Sequence, residues 1–80
     1  MSITVYTMPH CAACISLKKW LNEENIIFTE KDIINDEQAK KEFLEQKQTH
    51  APYILIEVNK QKHQIVGFHK KKILEIIGNE

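Results

Sequence analysis

The 80-residue sequence contains no arginine: all eleven cationic side chains are lysines, and eleven acidic residues balance them. With histidine neutral the net charge is zero, which argues against broad electrostatic binding to nucleic acid or to a membrane surface. The lack of arginine also excludes bidentate guanidinium recognition of carboxylate or phosphate groups. We therefore expect a protein that binds neither nucleic acid nor membranes.

Glycine and proline are scarce, with two of each, and the apolar fraction of 42% is ordinary for a globular protein. There is no apolar run of the roughly 20 residues that a membrane-spanning helix needs. The first residues lack the basic and hydrophobic regions of a secretion signal. We expect residues 1–80 to form a single domain that is cytoplasmic and monomeric.

Only two cysteines are present, three positions apart in Cys11-Ala-Ala-Cys14. Because structural disulfides rarely persist in the cytoplasm, the pair is interpreted as either redox-active or metal-binding. It lies where a strand-like run, residues 2–7, gives way to a helix-like run. The unpaired N–H groups at a helix N-terminus favour the thiolate, which is the species that attacks disulfides. This position favours redox chemistry.

The hydrophobic pattern predicts the element order β-α-β-α-β-β-α. Strands are predicted at residues 2–7, 26–32, 53–58 and 62–66, and helices at 12–24, 36–47 and 70–78. The apolar residues expected to face the core are Ala13, Leu17, Trp20 and Leu21 in the first helix, Ala39, Phe43 and Leu44 in the second, and Ile73, Leu74, Ile76 and Ile77 in the third. A strand–helix–strand unit followed by a hairpin predicts an α/β fold: a four-stranded mixed sheet flanked by three helices.

Three motifs carry a resemblance to a known family: Pro9-His-Cys-Ala-Ala-Cys14, Thr49-His-Ala-Pro-Tyr53 and Val66-Gly-Phe-His69. Together with the element order they resemble the thioredoxin-like fold of the glutaredoxins and NrdH-type redoxins over nearly the whole chain. The resemblance implies a dithiol–disulfide oxidoreductase without a cofactor, with Cys11 as nucleophile and Cys14 as resolving thiol. It also implies a cis peptide bond before Pro52 and a backbone contact from Ala51 to the substrate.

The third motif separates the subfamilies. The segment Gly67-Phe68-His69-Lys70 lies nearer to NrdH-type redoxins than to glutaredoxins, which typically carry a second glycine and acidic residues there. NrdH-type redoxins take electrons from thioredoxin reductase and deliver them to class Ib ribonucleotide reductase, whereas glutaredoxins are reduced by glutathione. The resemblance implies substrate or partner contacts at Ala51, Pro52, Gly67, Phe68, His69 and Lys70. Met8 stands where the family usually has lysine, which weakens the glutathione interpretation.

Several polar residues near these motifs have two interpretations. His10, when protonated, would favour the Cys11 thiolate, or it is an exposed loop residue; His50 would approach the thiols through the Pro52 loop. His69 with Lys70 and Lys71 would form a basic rim that receives a carboxylate of glutathione or of an acidic partner. The other interpretation of the run Lys70–Lys72 is a solvated helix end. Phe68 is either a docking residue or part of the core.

Metal binding is the alternative of a different class. A zinc site would combine Cys11 and Cys14 with His63 and His69, but 48 residues separate Cys14 from His63, far more than in a zinc finger. An iron–sulfur cluster shared by two chains occurs in some glutaredoxins, usually with one essential cysteine and glutathione. We expect no metal, and a structural metal-binding module stays as the distant alternative.

Overall fold

The computed structural model describes residues 1–78 and contains seven elements in the predicted order. They are β1 (Ser2–Thr7), α1 (Ala12–Glu23), β2 (Thr29–Asp32), α2 (Glu37–Glu45), β3 (Tyr53–Val58), β4 (Gln61–Val66) and α3 (Lys70–Gly78). The strands lie in the order β2-β1-β3-β4, with β1 parallel to β2 and antiparallel to β3, and β3 antiparallel to β4. The predicted α/β architecture, a mixed four-stranded sheet with three helices, is confirmed.

The two faces of the sheet carry separate hydrophobic clusters, because successive side chains of a strand point to opposite faces. The larger cluster joins the sheet to α1 and α3; its buried members are Ile3, Val5, Leu17, Leu21, Ile54, Ile56, Ile65 and Ile73. The smaller cluster joins the sheet to α2 and consists of Tyr6, Ile33, Phe43 and Tyr53. Helices α1 and α3 therefore cover one face and α2 covers the other.

Strand β2 is shorter than predicted, starting at Thr29 rather than at residue 26. Helix α1 ends in a turn in which Asn25 has φ 57° and the N–H of Ile26 donates to the carbonyl of Leu21 at 2.9 Å. The N–H of Ile26 is therefore used by the end of α1 and is not available for strand pairing at residue 26. Ile27, the next residue, is 90% exposed. The apolar run at residues 26–28 closes the helix and does not extend the sheet.

Three of the predicted core positions were wrong. Ala13 is exposed, and Cys14 takes the inward position on α1 with Leu17 and Leu21. Leu44 and Leu74 are 55% and 47% exposed. Each follows a buried residue directly, Phe43 or Ile73, so the helical rotation of about 100° per residue turns its side chain away from the sheet. Trp20 is half-buried against the larger cluster.

The hairpin between β3 and β4 turns through Asn59 and Lys60, both in the left-handed region with φ 52° and 64°. Positive φ at both central residues is the geometry of the two-residue turns that match the twist of paired strands. This turn fixes the register in which Tyr53 faces Val66.

Within residues 1–78 no helix is long and apolar enough to cross a membrane.

Candidate active site

The three sequence motifs meet where three neighbouring strands, β1, β3 and β4, begin or end. Tyr6 near the end of β1, Tyr53 at the start of β3 and Val66 at the end of β4 are consecutive partners in one row of the sheet. The segments that leave this row carry Cys11, the Ala51-Pro52 bond and Gly67. Pairing of the strands therefore brings together residues that are up to 56 positions apart, from Cys11 to Gly67.

Cys11 forms the N-cap of α1. Its backbone is extended, with φ −97° and ψ 105°, and its Sγ accepts a hydrogen bond from the N–H of Cys14 at 3.2 Å. The first turn of α1 contains no acidic side chain. The partial positive charge of the helix N-terminus is therefore directed at the sulfur and is not offset within that turn.

The two cysteines form a disulfide that closes the first turn of α1, with their Cα atoms 5.2 Å apart. They differ in access: Cys14 is 1% exposed, whereas Cys11 is only partly buried. A sulfur atom arriving from solvent therefore reaches Cys11 before Cys14. A CxxC pair at disulfide distance is the arrangement needed for dithiol redox chemistry.

The Ala51-Pro52 peptide bond is cis, and it lies against the disulfide. The carbonyl oxygen of Ala51 is 4.0 Å from Cys11 Sγ, and Pro52 is buried. The carbonyl of Pro52 accepts a hydrogen bond from the N–H of Gly67 at 2.8 Å. The second and third motifs are thus joined through the backbone. Gly67 has φ 89°, a conformation that side-chain-bearing residues rarely adopt.

The residues after Gly67 turn towards α1. The His69 Nε2 atom donates to the carbonyl of Val66 at 2.9 Å, and the Phe68 ring lies 5.8 Å from the Trp20 ring. The Lys70 Nζ atom sits over both rings, 5.6 Å from that of Phe68 and 5.9 Å from that of Trp20. Trp20 lies nine residues beyond Cys11, about 13 Å along the helix axis. The Lys70 ammonium group is therefore held by the aromatic pair and away from the sulfur.

The predicted histidines lie in different parts of the structure. His10 is exposed and has φ 61°, a conformation that histidine tolerates better than most residues. His50 is also exposed, and its Nδ1 atom is 2.9 Å from the Thr49 hydroxyl. His63 pairs with Ile56 in the sheet. Residues 1–78 contain no group of three or more His, Cys, Asp or Glu residues positioned to hold a metal ion.

One buried polar contact beside the site was not predicted from the sequence. Thr7, at the end of β1, is 2% exposed, and its hydroxyl donates to Glu30 Oε2 at 2.8 Å. Lys18 on α1 pairs with the same oxygen at 2.7 Å. The hydrogen bond from Lys18 holds the pKa of Glu30 below its usual value. This contact ties the first strand to α1 one turn beyond Cys14.

A second polar network lies on the face of the sheet that α2 covers, next to the Pro52 loop. The Tyr53 hydroxyl donates to Gln46 Oε1 at 2.6 Å, and the Tyr6 hydroxyl donates to Glu42 Oε1 at 3.1 Å. Lys31 pairs with the same Glu42 oxygen at 2.6 Å. Burial raises the pKa of Tyr6 and Tyr53, whereas the hydrogen bond from Lys31 lowers that of Glu42. No spacing rule links residues on four separate elements, so the sequence carries no signal for this network.

The sequence model of the glutaredoxin family matches residues 3–62. An uncharacterised glutaredoxin-like 8.6 kDa protein in the rubredoxin operon of Clostridium pasteurianum is 33% identical over 76 residues, which cover 94% of this chain and 96% of that protein. The global transcriptional regulator Spx 1 of Oceanobacillus iheyensis is 44% identical over 34 residues. The matched segment is 42% of this chain and about a quarter (26%) of the regulator's length.

Solved structures show the same fold. The glutaredoxin of Methanosarcina mazei superposes with a TM-score of 0.75 at 23% identity, covering 96% of this chain and 78% of that one. The crystal structure of a thioredoxin-like protein superposes with a TM-score of 0.81 at 24% identity, covering 99% and 97% of the two chains. These similarities establish the thioredoxin-like fold.

Proposed function

This chain belongs to the glutaredoxin family and is a thiol–disulfide oxidoreductase, and we propose that it works as a dithiol electron carrier in which Cys11 is the nucleophile and Cys14 the resolving thiol. The observation that carries the proposal is the difference in access between the two sulfur atoms. Cys11 is partly exposed at the start of α1, and Cys14 is 1% exposed. Only Cys11 can meet a bulky substrate disulfide directly.

In the first step the Cys11 thiolate attacks one sulfur of a substrate disulfide. The new Cys11–substrate bond forms as the substrate S–S bond breaks, and the other substrate sulfur leaves as a thiolate that takes up a proton. The hydrogen bond from the Cys14 N–H and the N-terminus of α1 favour the attacking thiolate.

In the second step Cys14 loses its proton and attacks the Cys11 sulfur. The mixed disulfide breaks, the second substrate thiol is released, and the Cys11–Cys14 disulfide remains. Two electrons have then passed from the protein to the substrate. An external dithiol or thiol reductant returns them. The one-turn separation of the cysteines lets this exchange take place within α1.

The Pro52 loop is proposed to hold the substrate backbone beside the sulfur. The position of Ala51, with its carbonyl 4.0 Å from Cys11 Sγ, supports a contact to an extended substrate segment. The hydrogen bond between Gly67 and Pro52 keeps this loop attached to the end of β4. Phe68, His69 and Lys70 follow, and we assign them to the partner-binding surface.

The physiological reductant is proposed to be thioredoxin reductase, as in NrdH-type redoxins. The acceptor would be class Ib ribonucleotide reductase or another disulfide-bearing protein. The contact of Lys70 with two aromatic rings supports this choice, because a lysine engaged in that way is a weaker anchor for a glutathione carboxylate. A glutathione-dependent glutaredoxin is the alternative. We place the protein in the cytoplasm as a monomer, with residues 1–80 forming one domain.

Two coupled assays decide between the reductants. The oxidised protein is mixed with NADPH and either thioredoxin reductase or glutathione plus glutathione reductase, with insulin as the acceptor disulfide, and NADPH consumption is followed at 340 nm. Rapid consumption with thioredoxin reductase alone is the expected result. Rapid consumption only with the glutathione system would contradict the NrdH-type assignment and support a glutaredoxin.

A further inference from the structure

We propose that Gln46 and Tyr53 are positioning residues for the binding of polypeptide substrates. The hydrogen bond between their side chains holds the Ala51-Pro52 segment at the distance from Cys11 that a substrate backbone needs. This inference rests on the proposed function, because it concerns the loop that is proposed to hold the substrate. The two residues are called the positioning pair; they act through the loop and take no part in the sulfur chemistry.

The Pro52 loop is attached on two sides. Pro52 has no backbone N–H, but its carbonyl accepts a hydrogen bond from the N–H of Gly67 at 2.8 Å, which fixes the loop to the end of β4. On the side of α2, the Tyr53 hydroxyl donates to Gln46 Oε1 at 2.6 Å. The first attachment uses backbone atoms only, whereas the second depends on the identity of the two side chains.

The hydroxyl of Tyr53 has a defined position. The residue is 0% exposed, and its ring centroid lies 5.5 Å from that of Tyr6 and 6.1 Å from that of Phe43. A buried tyrosine hydroxyl needs a hydrogen-bond partner, since leaving it without one is unfavourable. Burial also raises the pKa of Tyr53, so the hydroxyl stays protonated and donates. A shift of the loop would therefore have to move a packed ring or break the bond to Gln46.

The acceptor, Gln46, is fixed at the end of α2. It is the C-cap of that helix, and its backbone N–H donates to the carbonyl of Glu42 at 3.3 Å. Its side-chain Nε2 donates to the same carbonyl at 3.2 Å and lies 3.5 Å from the Tyr6 hydroxyl. The carbonyl of Gln46 in turn accepts from Gln48 Nε2 at 3.1 Å. These contacts direct the remaining amide atom, Oε1, at Tyr53.

The position of the loop matters for some substrates only. The carbonyl oxygen of Ala51 lies 4.0 Å from Cys11 Sγ, and Ala51 is only two residues before Tyr53. A polypeptide substrate uses this segment to align its backbone, whereas a small disulfide without a peptide backbone has nothing to align. Misplacing a reacting group by about 1 Å can slow a reaction by about a hundredfold. Loss of the positioning pair should therefore slow the reduction of polypeptide disulfides selectively.

Tyr53→Phe tests the inference, because it removes only the hydroxyl group. The reduced protein is mixed with an excess of either a synthetic peptide that contains one internal disulfide or dithiobis(nitrobenzoate), a small aromatic disulfide, and both second-order rate constants are measured. We expect the peptide rate to fall by about five- to tenfold and the rate of the small disulfide to stay within about twofold of wild type. An unchanged peptide rate, or an equal fall with both substrates, would overturn the inference.

Gln46→Met breaks the same hydrogen bond from the other side, with a side chain of similar length. It should lower the ratio of the peptide rate to the small-disulfide rate as much as Tyr53→Phe does. The double variant should be no slower with the peptide than either single variant, because both changes remove one shared interaction. Additive losses would show that the two residues act separately, and they would contradict the positioning pair.

Tyr6→Phe is the matched control. It removes the hydroxyl of another buried tyrosine in the same cluster, but Tyr6 lies on β1 and its hydroxyl donates to Glu42 Oε1 at 3.1 Å. Both rates should stay at the wild-type values, even where the midpoint of urea denaturation falls as far as in Tyr53→Phe. A peptide rate as low as that of Tyr53→Phe would show that the effect follows stability, and it would overturn the assignment to the positioning pair.

The same experiment separates this inference from the proposed function. If Tyr53→Phe and the wild-type protein reduce the peptide at equal rates, and Cys11→Ser does not reduce it, the oxidoreductase mechanism stands and only the positioning role is wrong. If the wild-type protein does not reduce the peptide while its thiols react with iodoacetamide, the proposed function is contradicted and the inference with it.

Discussion

Helices α1 and α2 begin in the same way but with different atoms. Cys11 caps α1 through a sulfur that accepts one hydrogen bond, from the N–H of Cys14 at 3.2 Å. Asp36 caps α2 through a carboxylate oxygen that accepts two, from the N–H groups of Gln38 at 3.0 Å and Ala39 at 3.2 Å. Glu37 then adds a negative charge to the first turn of α2, whereas α1 has no acidic residue there.

The difference shows how one local structure serves two purposes. At the start of α2 the Asp36 carboxylate accepts from two free N–H groups. The negative charges of Asp36 and Glu37 also oppose the partial positive charge of the helix N-terminus, which stabilises α2. At α1 the cap is a weak hydrogen-bond acceptor, and no carboxylate in the first turn opposes the helix charge. That charge remains available to a thiolate on Cys11. The predictions below test this contrast between a stabilising cap and a reactive one.

The largest effect is expected from Cys11→Ser. Serine is a good N-cap, so the free energy of unfolding of the reduced protein should change by less than about 0.5 kcal/mol. Disulfide reduction, measured as NADPH consumption in the coupled assay, should be abolished because no nucleophilic sulfur remains at this position. Loss of both stability and activity would show that Cys11 is needed mainly for folding.

Cys14→Ser is the companion variant, because it removes the resolving thiol and keeps the nucleophile. We expect it to accumulate a mixed disulfide between Cys11 and the substrate, detected by mass spectrometry under non-reducing conditions. If Cys14→Ser turned over normally without a trapped intermediate, the proposed roles of the two cysteines would be wrong.

The helix caps show what could be predicted from the sequence and what could not. The second helix was predicted to start at residue 36, and Asp36 is its N-cap. The position of Cys11 at the start of α1 followed from the strand-to-helix transition. Both depend on chemistry within a few residues. The same kind of local pattern predicted most of the helix and strand bounds. The three motifs of the family resemblance identified the loops that form the site.

What the sequence did not predict depends on contacts between distant elements. Strand β2 was expected to start at residue 26, but the end of α1 takes the N–H of Ile26. The position of the Lys70 ammonium group over Trp20 and Phe68 was not predicted, because it is set by the packing of α3 on α1. Ala13 was expected to face the core, and Cys14 does so instead. Hydrophobic periodicity and composition alone do not show which of two neighbouring helix residues faces the core.

The second prediction removes the carboxylate cap. Asp36→Ala leaves the N–H groups of Gln38 and Ala39 without their acceptor, and we expect a loss of about 1 kcal/mol in the free energy of unfolding, measured by urea denaturation. The coupled assay should give unchanged activity, because α2 carries no group that touches the disulfide. Asp36→Asn, which keeps an oxygen acceptor, is the control and should recover most of the stability.

The third prediction gives α1 the acidic first turn of α2. Ala12 is exposed and occupies the position in α1 that Glu37 occupies in α2, directly after the cap. In Ala12→Glu the added negative charge should raise the pKa of the Cys11 thiol, since it disfavours the thiolate. Alkylation of the reduced protein by iodoacetamide at neutral pH should slow by about two- to fivefold.

Ala12→Gln is the matched control for that experiment, since it has nearly the same shape without the charge. Its alkylation rate should equal that of the wild-type protein, and the slower rate of Ala12→Glu should recover in high salt. An equal loss of rate in both variants would point to steric hindrance and would contradict an electrostatic role for the helix N-terminus.

The smallest effect concerns the other ends of the same two helices. Both end in a left-handed residue that is not glycine, Asn25 with φ 57° after α1 and Lys47 with φ 58° after α2. In each case the next residue donates its N–H back to the helix: Ile26 to Leu21 at 2.9 Å and Gln48 to Phe43 at 3.3 Å. This conformation costs lysine more free energy than asparagine, whose short polar side chain adopts it more readily. Lys47→Gly should therefore raise the free energy of unfolding by about 0.5–1 kcal/mol, and Asn25→Gly by clearly less, in urea denaturation of the reduced protein. Equal gains would mean that the identity of the left-handed residue does not limit stability at either end, and that α1 and α2 differ only where Cys11 and Asp36 cap them.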